Sequence, residues 1–178
     1  MNLLADVVAA LAARGMQVAV IGATAMAAHG VARATTDVDL LLAEVEALKP
    51  HVWEDLRAGG AQVEIRRGEV DDPLTGVIRI RRDGESPIDV VIGNHPWQRR
   101  IVERAVRQKI HGTSAPVATR YDLILLKLYA GSPQDRWDIA RLIDESSDPR
   151  LVGQVEQELT DLPAECAGIW QSIVESRN

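Results

Sequence analysis

Two short apolar runs near the N-terminus, the second interrupted by carboxylates, constrain this chain more than any other feature. Val18–Ile21 is a largely β-branched run that stops at Gly22, the pattern of a buried strand ending in a turn. Val38, Leu40, Leu41 and Leu42 make a second apolar strand, with Asp37 at its head and Asp39 inside it. Side chains at i and i+2 of a strand share a face, ~7 Å apart along the chain, so both carboxylates point one way and Val38 and Leu40 the other. At ~5 Å and an effective dielectric of about 20, two such charges repel by on the order of 3 kcal/mol. A cation offsets that repulsion, and paired carboxylates with water and phosphate oxygens are the donor set that Mg²⁺ takes. The alternative is a polar strand edge at which both aspartates are merely solvated.

Between these strands, residues 23–29 are small and helix-compatible, and Gly30 is a natural stop. Gly22 therefore lies between a strand and a helix, where free backbone N–H groups meet a phosphate. Arg33, with Thr35 and Thr36, precedes Asp37 and is placed to meet a phosphate or substrate, or else is a solvated loop arginine.

Residues 77–82 and 87–92 flank Asp83-Gly84, a strong hairpin signal. Ile78 and Ile80 face one way and Arg79 and Arg81 the other. Asp89 sits inside Ile88-Asp89-Val90-Val91-Ile92, where a charge is expensive unless something pairs with it. It is either paired with a partner or a solvent-facing edge residue. Upstream, residues 61–67 alternate as a strand and 68–76 form an acidic loop containing Pro and Gly.

The remaining segments read as helices. Asn2 caps one with an apolar stripe of Leu3, Leu4, Val7, Val8 and Leu11, and Pro50 opens another that stops at Gly59-Gly60. Pro96 opens a helix whose exposed face is expected to carry Arg99, Arg100, Arg104 and Arg107, the densest positive patch in the chain. It reads as a phosphate-backbone contact surface or as a solvated face. Residues 109–117 look extended. Thr119, with Asp122 three residues on, starts a leucine-rich helix that holds Lys127 and closes at Gly131. Ser132-Pro133 caps the next, on which Asp135 and Asp138 are one turn apart. Two further helices follow Asp148.

The N-terminal pattern is a hydrophobic residue, glycine, a small residue, a spacer of thirteen residues (24–36) and then Asp-hydrophobic-Asp. It resembles the signature of the DNA polymerase β-like nucleotidyltransferase superfamily. The resemblance implies a minimal αβ fold whose strand-borne carboxylates Asp37, Asp39 and Asp89 hold two metal ions, Mg²⁺ or Mn²⁺, and move a nucleoside monophosphate from an NTP. It also places the nucleotide at Gly22, Ala23 and Thr24. The residue after the glycine is usually Gly or Ser, and here it is Ala23, so Thr24 is left to offer a hydroxyl. The second segment, YDLILLKLYAGSPQDRWDIARLI, is similar to the abortive-infection (AbiEii-type) nucleotidyltransferase toxins. That likeness implies that Lys127 faces the nucleotide phosphates and that Asp135 or Asp138 supports the site. Many relatives carry a basic residue after the turn glycine, where this chain has Ser132.

The expected fold is α/β: a small mixed β-sheet with flanking helices in residues 1–112, and a C-terminal helical portion, 113–178, packed on it as one unit. Phenylalanine is absent and aromatics total 3%, so the core is aliphatic and no base-stacking platform for single strands is expected. A net charge of −6 gives no global basic footprint for nucleic acid. Cys166 is the only cysteine, which excludes a disulfide framework within the chain. No signal peptide or membrane span is apparent, so the expectation is a cytoplasmic protein without a membrane partner. The expected activity is NMP transfer to a hydroxyl on RNA, at a tRNA 3′ end, by the toxin of a toxin–antitoxin or abortive-infection system with a cognate antitoxin. The alternatives are a small-molecule (antibiotic-type) nucleotidyltransferase and a degenerate fold acting as a binding or regulatory protein.

Overall fold

The computed structural model describes residues 2–69 and 74–177 of the chain. Part of the acidic loop expected over 68–76 lies outside them. The described elements are α1 (Leu3–Ala12), β1 (Val18–Ile21), α2 (Gly22–Ala28), β2 (Val38–Leu42), α3 (Glu54–Ala58), β3 (Gln62–Arg67), β4 (Gly76–Arg81) and β5 (Ile88–Ile92). They continue with α4 (Pro96–Arg104), β6 (Val106–Ile110), β7 (Thr113–Val117), α5 (Arg120–Ala130), α6 (Pro133–Asp144), α7 (Leu151–Glu158) and α8 (Ala164–Glu175). A 3₁₀ turn over Pro50–Trp53 leads into α3, because the proline suits a first turn.

One seven-stranded sheet organises the chain, in the order β3-β4-β5-β2-β1-β7-β6. β2 runs parallel to β5 and antiparallel to β1, and β1 runs parallel to β7. The fold is thus α/β with a mixed sheet and flanking helices. The core is aliphatic, with Val20, Leu40, Leu42, Ile78, Ile80, Val90 and Ile92 fully buried.

The expected boundary at 112/113 falls in the turn of a hairpin. β7 pairs with both β6 and β1, so the sheet core runs on to Val117. The turn residues His111 and Gly112 both have positive φ, 47° and 81°, which reverses a segment that reads as simply extended.

The C-terminal helices follow local capping chemistry. Thr119 accepts from the Asp122 N–H at the start of α5, and Gly131 ends that helix in the left-handed conformation. Ser132 and Asp135 form a reciprocal box at the start of α6. α5 buries Leu123, Ile124, Leu125 and Leu128 and packs against α2, α6, α7 and α8, which brings Lys127 toward the aspartate strands. Among the described residues, no helix is long and apolar enough to cross a membrane.

Candidate active site

Strand register builds the site. Asp39 on β2 lies opposite Asp89 on β5, and Ile21 on β1 lies opposite Asp39. On the other side, Arg79 of β4 faces Asp89, and Glu64 of β3 faces Arg79. A single transverse row therefore reads Glu64, Arg79, Asp89, Asp39, Ile21, one strand spacing of about 4.8 Å apart. Val38, Leu40 and Leu42, with Ile88, Val90 and Ile92, are buried on the opposite face. Asp89 thus lies on an interior strand, opposite Asp39, and is not an edge aspartate.

The three aspartates have different surroundings. Asp37 accepts from the Thr36 hydroxyl at 2.8 Å, and that bond first, with Thr35, holds its carboxyl below the usual range. Asp89 accepts a bidentate pair from Arg79 at 2.7 and 2.6 Å, and the same guanidinium stands 3.8 Å from Asp37. Asp39 has no hydrogen bond or ion pair among the described residues. Burial, then the neighbouring charges of Asp37 and Asp89, push its pKa up to about 6, against smaller opposing effects of Lys127 and Arg33. Gly22 has φ +64°, and a Cβ there would stand 2.1 Å from Asp39 Oδ2, so only glycine fits beside this carboxylate.

Two cavities flank the row. One, of about 220 Å³, is lined by Gly22, Leu41, Val91, Gln98, Lys127 and Asp135 among others. The second, of about 490 Å³, is lined by Glu64, Arg66, Arg67, Arg79 and Asp89. Leu74 borders both.

Lys127, 8% exposed, does not snorkel to solvent. Its ammonium donates to Asp135 at 3.0 Å and to Asp138 at 2.5 Å. Arg33 donates to the same Asp138 oxygen at 2.5 Å, which ties the loop before Asp37 to α6. The other Asp138 oxygen is buried without a partner among the described residues. Burial raises the Asp135 pKa, but hydrogen bonds from Ser132 and Lys127 outweigh it and leave the carboxyl below its ordinary value. Both aspartates therefore serve the lysine. Ala23 is half-buried in the first turn of α2. Thr24 is buried, and its hydroxyl donates to the Asp37 carbonyl at 3.3 Å. It braces the aspartate strand and does not offer a hydroxyl outward.

A family model described as nucleotidyl transferase AbiEii toxin, type IV toxin–antitoxin system, matches residues 3–162. The chain belongs to this family. It is accordingly a nucleotidyltransferase. No curated protein matches the sequence. Among solved structures, an antigenic nucleotidyltransferase-like protein from Paracoccidioides brasiliensis is 18% identical with a TM-score of 0.55, over 96% of this chain and 86% of that one. The lincosamide antibiotic adenylyltransferase LnuA, solved with lincomycin bound, is 11% identical with a TM-score of 0.51, over 80% of this chain and 96% of that one. At these identities the likeness is one of fold.

Within this family member the arginine patch expected on α4 is dispersed. Ala105 turns extended after Arg104, so Arg107 lies on β6 and not on the helix. Arg99 binds Glu44 and the Ala43 carbonyl, and Arg100 binds Glu158 and Asp161. Arg104 binds Asp122 at 2.5 Å and Glu158 at 2.8 Å. The arginines of α4 are partnered by carboxylates, and two of them pin α4 to the C-terminal helices.

Two residues of the site escaped the sequence reading. Strand alternation puts Arg79 on the face opposite Ile78 and Ile80, but only register reveals Asp89 across from it. Gln98, at the third position of α4, carries no motif. Among the described residues no three His, Cys, Asp or Glu side chains converge closely enough to hold a metal ion, and Arg79 draws on both Asp89 and Asp37. The donor chemistry nonetheless suits a hard divalent cation. It comprises three carboxylates on adjoining positions, one of them half-buried, mutually repelled and unpartnered.

Proposed function

We propose that the chain moves a nucleoside monophosphate from an NTP to a hydroxyl on RNA, at a tRNA 3′ end, as the toxin of a toxin–antitoxin pair. The observation that carries the reading is the unpartnered Asp39, opposite Asp89 in register and against Gly22, which lines a cavity together with Lys127. Asp37, Asp39 and Asp89 would hold Mg²⁺ or Mn²⁺, which when bound supplies neutralisation of the charge developing on the phosphate oxygens.

Asp89 takes the proton of the attacking hydroxyl. The new bond joins that oxygen to the α-phosphorus, the bond to the oxygen bridging the α- and β-phosphates breaks, and pyrophosphate leaves with its electron pair. Lys127 and the Gly22 backbone steady the departing phosphates. Asp135 and Asp138 hold Lys127 extended toward them, and Arg33 completes that brace. An RNA acceptor is favoured by the 490 Å³ cavity next to Asp89, which Arg66, Arg67 and Arg79 line together with Glu64. NTP and tRNA place the activity in the cytoplasm, and the family description supports a cognate antitoxin.

A second reading rests on Arg79. Its bidentate hold on Asp89 is what a degenerate, non-catalytic binding protein would retain in place of a metal. Labelled NTP, Mg²⁺ and total tRNA separate these readings and the small-molecule alternative. Transfer to the tRNA 3′ end, absent from Asp39→Asn, is the expected result; transfer to a small hydroxyl compound alone overturns the RNA acceptor, and no transfer to either favours the degenerate reading.

A further inference from the structure

Gln98 is 1% exposed and lines the 220 Å³ cavity, with its amide against Gly93, just past the end of β5 and beyond Asp89 along that strand. Its Oε1 accepts from the backbone N–H groups of Asn94 at 2.9 Å and His95 at 3.0 Å. Gly93 admits this arrangement, since a Cβ there would stand 2.6 Å from the same Oε1. With the oxygen committed to two fixed donors, the amide cannot flip. Its Nε2 is left as a donor that has no partner among the described residues. The residue lines the cavity, and a ligand there that supplies an acceptor gives this donor its bond.

The shape of the cavity says what that ligand presents. Gly22 and Lys127 mark one end, beside the Asp39–Asp89 row. Leu41 and Val91 are register partners two residues farther along the same face, ~7 Å from that row. With Ile21, Leu74, Leu123 and Leu126 they make the walls mostly apolar, Tyr129 and Asp135 being the polar residues besides Lys127 and Gln98. A phosphate or ribose has no reason to lie on such a surface, whereas the flat face of a nucleobase does. Beyond that floor stands Gln98, offering hydrogen atoms and no lone pair.

We propose that Gln98 reads the nucleobase and selects one that presents a carbonyl oxygen, so that a keto base (uracil, cytosine or guanine) is accepted and adenine is not. The inference rests on the reading of this cavity as the nucleotide site. Uracil, cytosine and guanine can each turn a carbonyl to Gln98. Adenine offers only ring nitrogens as acceptors, and at its N1 and N7 edges the exocyclic amino group brings a second donor alongside.

The test is equilibrium binding of ATP, GTP, CTP and UTP, each with Mg²⁺, to the full chain by calorimetry. At least one keto-base NTP is expected to bind about tenfold or more tightly than ATP. Gln98→Glu keeps an oxygen for the Asn94 and His95 N–H groups but replaces the donor with a second acceptor. It should fold as the parent does, which its melting temperature checks, and should lose the preference. The four-nucleotide comparison on the unaltered chain stands whatever the variant does. Binding of ATP as tightly as the others, or a preference that survives in Gln98→Glu, overturns the assignment of Gln98 while leaving the nucleotide site intact. Failure of all four NTPs to bind overturns the nucleotide site itself, and this inference with it.

Discussion

Two aspartates, Asp122 and Asp39, show how differently one chain treats a carboxylate removed from water. Asp122, fully buried at the start of α5, accepts from Arg104 at 2.5 Å and from the Thr119 hydroxyl at 2.6 Å. Glu158 and Arg100 extend that network to α7. Asp39 is half-buried beside two more carboxylates with no cation in contact. Burial alone therefore does not mark function. The imbalance is what sets Asp39 apart and what the proposed metal role would answer, because a charge left without a partner is a cost that folding alone has no reason to keep.

The largest effect expected from this contrast belongs to the balanced site. Asp122→Ala leaves Arg104 short of a partner beneath α5 and α7, and should cost about 3–4 kcal/mol. That corresponds to a fall in melting temperature of roughly 6–15 °C, with NTP binding by the folded fraction retained. A shift of a degree or less would mean that the ion network contributes nothing and that the contrast with Asp39 is empty.

Next in size is the response of the unbalanced site to its ligand. With Mg²⁺ and an NTP at a hundredfold excess over Kd, the parent chain should gain roughly 2.7 kcal/mol of stability. Asp39→Asn should lose the metal-dependent part of that gain. A full ligand shift in the variant would remove Asp39 from the metal site.

Without ligand, the same substitution should act in the other direction. The folded-state pKa of Asp39 is raised to about 6, so its favourable contribution is present at low pH and is lost as pH rises through about 6. Asp39→Asn escapes this loss. Its metal-free advantage over the parent should be near zero at about pH 4 and grow to ~1–2 kcal/mol by about pH 8, a figure reduced for the solvent that still reaches the group. Paired melting curves across that range measure it. A flat difference would mean that Asp39 is not held in the strained state described.

The halves of this comparison were unequally legible in the sequence. Asp37, Asp39 and Asp89 stand out because each interrupts or abuts an apolar strand, and β periodicity assigns their face without tertiary information. Lys127 among leucines, the Thr119 and Ser132 caps and Gly131 are equally local signals. The pairing of Arg104 with Asp122 depends on how α4 meets α5, which no spacing encodes. Arginines at 100, 104 and 107 repeat at helical intervals, and that periodicity carried the expected patch past Ala105, where the backbone turns extended. Gln98 was silent for a similar reason: its role depends on the close approach to Gly93 and on the walls that other elements supply.

Arg79 offers the smallest but sharpest test, because it decides to which class Asp89 belongs. With the guanidinium in place, Asp89 resembles Asp122, a carboxylate with its cation; without it, Asp89 resembles Asp39. The Arg79 side chain is 40% exposed, so the ion pair itself should add little to stability and Arg79→Met should melt close to the parent. Removing this internal cation takes a competitor away from Asp89 and Asp37 together, since the guanidinium contacts the first and stands 3.8 Å from the second. Metal affinity should therefore tighten by several-fold, read by Mn²⁺ titration of the nucleotide-free chain. Weaker Mn²⁺ binding in the variant would show that Arg79 orients Asp89 for the metal and does not compete with it. Asp89 would then be a positioned ligand even in the free chain, and the unbalanced region would shrink to Asp39 alone.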